Sequence, residues 1–243
     1  MKLSQILGKS VDIITEQPQM LLPYGAPFVL SLIAMWIRIT NMLGWGITRL
    51  NPLGRSPLKF FTYFVASIRA LRIIDWVMWI LILSVLAICV ALTIVMSDAA
   101  LKGRKMSVGA AFETITPLLP LFVIAFLISW LLKFIGMFFF WVGVLVPAVL
   151  LIFVGQALLL DGKDLFDSFS KSYDTARENI MDVLALLFIF LVILAVVRLV
   201  PLVGMAVALI LLCYSAVTFT VLYRSKKPPQ RVRPKKAKPA PTA

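Results

Sequence analysis

The chain has 243 residues, 61% of them hydrophobic and 14% charged, with a formal net charge of +13. A soluble domain is close to half apolar and a quarter charged, so this composition excludes a soluble fold and assigns the chain to a bilayer. There is no histidine, which excludes histidine-ligated haem, the usual zinc and copper sites and a histidine general base; no cofactor is expected.

At the N-terminus Leu3, Ile6, Leu7, Val11 and Ile14 recur at helical spacing and predict an amphipathic helix over 3–16. The polar stretch Gly8 to Gln19 follows without an apolar core and cleavage site, so no cleavable signal peptide is expected. A first apolar span is predicted near 20–40, with Pro23 and Pro27 at its entry, where a first helical turn tolerates proline. Residues 57–73 set Lys59, Thr62, Arg69 and Arg72 against Phe60, Phe61, Phe64, Ile68 and Leu71, the pattern of a basic helix lying in a membrane interface. A second span is predicted over 74–97. The apolar run from 117 to 160 contains one charge, Lys133, and is too long for one crossing, so it divides into spans near 117–135 and 140–160, turning between Gly136 and Gly143. The run from 183 to 223 divides in the same way around Pro201 to Gly204, giving spans near 182–200 and 201–223.

The expectation is an all-α polytopic membrane protein, with six transmembrane helices in three hairpins and amphipathic interfacial helices between them. Each hairpin is preceded by an amphipathic segment: 3–16, then 107–116 with Val108, Ala111, Phe112 and Ile115, then 164–180 with Phe166, Phe169, Tyr173, Ala176 and Ile180. Gly103 and Gly162 stand just ahead of the second and third, which reads as a threefold pseudo-repeat. Cys89 and Cys213 fall deep in apolar runs and read as small buried hydrophobes.

Residues 1–223 form one transmembrane domain on this reading, and 224–243 a disordered polybasic tail. The tail's eight basic residues, Arg224, Lys226, Lys227, Arg231, Arg233, Lys235, Lys236 and Lys238, stand among five prolines with no acid. They tip the positive-inside balance and place both termini in the cytoplasm. They are also the candidate lipid-binding residues, because a juxtamembrane polybasic segment is drawn to anionic headgroups. Nucleic acid is not expected as a partner; a second membrane protein is.

The segment Gly103 to Pro117, the hairpin containing Val146, Pro147 and Ala148, then Leu160-Asp161-Gly162, Ser168 to Ser172 and Asn179 before a further hairpin, form a pattern of spacing and residue class. Over roughly residues 100–223 this resembles six-helix membrane proteins related to the membrane domain of glycerophosphoryl diester phosphodiesterases. That pattern has Pro-Gly in the fourth span where this chain has Pro147-Ala148. The phosphodiesterase chemistry of such proteins lies in a separate soluble domain, so the resemblance implies an integral membrane module and not an enzyme.

Polar groups inside spans are few. Gln156, with Ser84, Ser129 and Ser215, can make interhelical hydrogen bonds, and Gln156, Ser84 and Ser129 form the candidate intramembrane polar site. Arg38, Lys133 and Arg198 stand near span ends, where long basic side chains snorkel to the interface. Asp161, Asp164, Asp167, Asp174, Glu178 and Asp182 alternate with basic residues and lack calcium-loop spacing. They read as a solvated helix face, with Asp167 and Lys171 paired at i,i+4. The function expected is a non-catalytic membrane module, an accessory or scaffolding subunit packed against a membrane partner or lipid. The alternative is a small transporter or channel with a polar path between hairpins.

Overall fold

In the computed structural model, residues 2–43, 73–197 and 199–226 are described. They form ten α-helices: α1 (Leu3–Glu16), α2 (Gly25–Leu43), α3 (Ile73–Leu101), α4 (Val108–Ile115), α5 (Leu119–Gly136), α6 (Phe140–Leu150), α7 (Val154–Asp161), α8 (Leu165–Glu178), α9 (Ile180–Val197) and α10 (Pro201–Lys226). There is no strand among the described residues. Among the described residues, six stretches are long and apolar enough to cross a membrane: Pro18–Trp36, Ile73–Leu101, Val108–Phe139, Gly143–Asp161, Ile180–Val197 and Val203–Lys226. The architecture is all-α and polytopic. A helix suits such runs because it satisfies every backbone donor within the segment, and the bilayer offers no other partner. The basic amphipathic helix expected at 57–73 lies outside the described residues up to 72, and Ile73 opens α3.

The three short amphipathic segments among the described residues are helical, as α1, α4 and α8. The second and third are introduced by the same backbone device. Gly103 and Gly162 take positive φ, 72° and 61°, the left-handed conformation that ends a helix and that glycine adopts without steric penalty. In α8 the face turned inward is Ser168, Ser172 and Ala176, not the aromatic one. Phe166 is 85% exposed on the outer surface.

The long helix α3 is central and packs against α2, α4, α5, α7 and α10. Residues Pro18–Tyr24 form a 3-10 segment wedged beside it, with Met20 and Tyr24 buried. The Tyr24 hydroxyl lies 3.1 Å from Thr93 Oγ1, and the thiols of Cys89 and Cys213 donate to the carbonyls of Pro23 and Met20. Both cysteines are free and buried, so each acts as a packing residue with a weak donor. Gln17 and Gln19 then tie the segment to the carbonyls of Arg104 and Met106.

The hairpin α5–α6 turns through Met137–Phe139, within the interval expected. It is closed by backbone contact: a Cβ at Gly136 or at Gly143 would overlap the other residue's carbonyl oxygen. Trp79, Trp130, Phe134 and Phe138 stack in succession along α3 and α5 towards this turn. On the other side of α10, Phe219 packs against both Phe153 and Phe190.

Candidate intramembrane binding site

The fourth span was expected as a continuous helix over 140–160; it is interrupted. Helix α6 stops at Leu150, residues 151–153 make a turn, and α7 restarts at Val154. Pro147, one turn earlier, has already removed a donor from the ladder. The interruption is held open by a side chain from elsewhere. Ser172 Oγ, on α8, donates to the Leu150 carbonyl at 2.7 Å and accepts from the Phe153 N–H at 3.1 Å. Two backbone groups that the helix releases are thus satisfied inside the protein, as a non-helical segment of a span requires. Gly155 follows the turn and lets α7 approach closely: a Cβ there would lie 2.9 Å from the Phe122 ring and 3.1 Å from Ile94.

Beside this break lies a half-open recess of about 150 Å³ bordered by α3, α5, α7 and α10. Gln156 and Ser129, two of the three residues of the expected polar site, line it together with Ser215 and Lys133. Ser84, the third, is not part of it; its hydroxyl donates to the Ile80 carbonyl one turn back on α3. Gln156 is 3% exposed, and its Oε1 has no hydrogen-bond partner. An unpaired buried amide oxygen costs about 1–3 kcal/mol, so it calls for an explanation. Ser129 and Ser215 donate to Ala125 and Leu212 of their own helices and offer only lone pairs to the cavity. Discontinuous spans with polar groups facing a recess are the usual setting of membrane-protein binding sites.

Lys133 stands in the last turn of α5, near the span end as expected, and it also lines the recess. No ion pair or hydrogen bond to Lys133 occurs among the described residues. A signal was present in the sequence, since Phe122, Ala125, Ser129 and Lys133 fall on one helical face. The side chains of Arg38 and Arg198 lie outside the described residues.

The other polar cluster is structural. Helix α10 runs on through Lys226, past the boundary expected at 223. Arg224 Nε pairs with Asp98 at the end of α3, the Tyr223 hydroxyl donates to Asp161 at the end of α7 (2.7 Å), and Lys226 meets Asp182 at the start of α9 (3.1 Å). Lys102 completes the pairing of Asp98. One turn of α10 therefore fastens the ends of three other spans. Arg224 and Lys226 are engaged inward and are not free polybasic-tail residues; Lys227, Arg231, Arg233, Lys235, Lys236 and Lys238 lie outside the described residues. Asp167 pairs with Lys163 at 3.8 Å, one turn before it, and not with Lys171 as the spacing predicted. No known protein family, curated protein or solved structure matches the chain.

Proposed function

We propose that this chain is a non-catalytic, multi-pass membrane module that binds a small ligand between its spans, in the recess at the interrupted fourth span. The observation that carries this reading is Gln156: a buried amide whose oxygen has no partner, lining a cavity that also holds an unpaired lysine. A merely structural glutamine in a span finds an interhelical partner; a binding residue keeps its capacity for the ligand. The reading stands nearer to the small-transporter alternative than to a pure scaffold. Both termini lie in the cytoplasm on the charge balance, and the basic residues beyond Lys226 serve anionic headgroups. The test is native mass spectrometry of the full chain released from its own membranes in mild detergent. A small-molecule adduct present on the unmodified protein and absent from Gln156→Leu is expected. Identical spectra for the two would refute the reading.

A second reading, the accessory subunit, has one feature in its favour. An open apolar groove of about 460 Å³ runs along the α5–α6 corner, past Leu132, Gly136, Phe139, Gly143 and Pro147. A stoichiometric protein partner retained through mild-detergent purification would support it.

A further inference from the structure

The recess between α3, α5, α7 and α10 is chemically unbalanced, and its imbalance names a class of ligand; this step rests on reading the recess as a binding site. Its lining holds one charged residue, Lys133, with no carboxylate beside it among the described residues. It holds one primary amide, Gln156, whose buried oxygen has no donor. The two serine hydroxyls are already committed as donors to their own helices. The remaining wall is apolar, including Val90, Ile94, Phe122 and Phe126. The unmet needs are therefore an anion for the ammonium group and a donor for the amide oxygen.

We infer that the recess binds a carboxyl group carried on an apolar body. One ammonium balances one negative charge, whereas a phosphate dianion needs a second cation and the lining has none, and a phosphodiester monoanion has no proton to give the amide oxygen at ordinary pH. As a carboxylate the ligand accepts from Lys133 in a charge-assisted hydrogen bond. As the neutral acid it instead donates its O–H to Gln156 Oε1 and accepts from the Gln156 amide N–H, so each of the two forms meets one of the two needs. A sulfonate has no such protonated form at ordinary pH. A cavity of about 150 Å³ accepts a body near the size of a benzene ring. The carboxyl group comes from either of two sources, a small soluble acid or the head of a free fatty acid whose chain leaves through the open side.

The experiment uses the purified full chain in nanodiscs of neutral phosphatidylcholine, with binding read by calorimetry. The probes are benzoate, benzenesulfonate, benzyl alcohol and benzylamine. Saturable binding of benzoate is expected, with each of the others weaker by roughly tenfold or more. Lys133→Met and Gln156→Leu should each weaken benzoate by roughly tenfold to a hundredfold, and Lys133→Arg should retain most of the affinity. Helical circular dichroism and a monodisperse gel-filtration peak certify each variant, and the probe series on the unmodified chain needs no variant at all. Oleate doped into the nanodisc displaces benzoate if the source is a fatty acid and leaves it bound if the source is a soluble acid. Benzenesulfonate, benzylamine or benzyl alcohol binding as well as benzoate, or no saturable benzoate binding, would overturn the assignment. If an adduct is still lost from Gln156→Leu while benzoate fails to bind, the recess remains a binding site and only the carboxyl class is wrong.

Discussion

Replacing Ser172 with alanine removes one oxygen atom from a fully buried site and creates almost no cavity. It leaves the Leu150 carbonyl and the Phe153 N–H without their partner inside an apolar bundle. Each is a side chain–backbone hydrogen bond between α8 and the fourth span. Interhelical bonds of this kind contribute about 0.6–1.7 kcal/mol in membrane proteins, less than the price of a fully orphaned group because the unfolded chain in lipid finds partners too. Two such bonds give an expected loss of about 1–3 kcal/mol. Alanine is the better helix former, which returns a few tenths of a kcal/mol. Ser170→Ala, on the exposed face of α8, measures that opposing effect alone. The assay is reversible unfolding in mixed micelles across a denaturing-detergent series, followed by tryptophan fluorescence. Ser172→Ala should unfold at a lower denaturant fraction than the unmodified chain, and Ser170→Ala should not. If the two variants unfold together, the serine clamp contributes nothing and the interruption of the fourth span has another cause.

Two further outcomes follow from the packing. Gly143→Ala should cost about 1–3 kcal/mol in the same assay, since its methyl group meets the Gly136 backbone and neither helix of the hairpin can yield without opening the turn; an unchanged midpoint would contradict the close approach. Arg224→Ala should destabilise the bundle by about 1–3 kcal/mol, less than a wholly buried pair loses because Lys102 still faces Asp98, whereas Lys226→Ala at its half-exposed pair should cost about 0–1 kcal/mol. Equal midpoints for these two variants would show that the Asp98 pair is no more protected from solvent than the Asp182 pair.

The class and the count of spans were legible in the amino-acid sequence. Apart from the break in the fourth span, each apolar run satisfies its own backbone and can sit in lipid whatever its neighbours do, so length and hydropathy are enough to read it. The same holds for the amphipathic helices α1, α4 and α8 and for the turns at Gly103 and Gly162, all of which are local. Gln156 and Ser129 were visible as polar groups in apolar runs, and Lys133 shares a helical face with Ser129, but nothing in the sequence placed Ser84 away from them or brought Gln156 to that face. Tertiary structure decided those relations because they depend on which helical faces meet. Ser172 lies 22 residues from Leu150, and Arg224 lies 126 residues from Asp98. Once facing pairs are brought together, a serine that looked like part of an interfacial helix becomes the clamp of a broken span. Two basic residues that looked like a solvated tail become the ties of its last turn. The empty valence of Gln156 is the clearest case: hydrogen bonding is a property of pairs, and only the packed chain shows that one partner is missing.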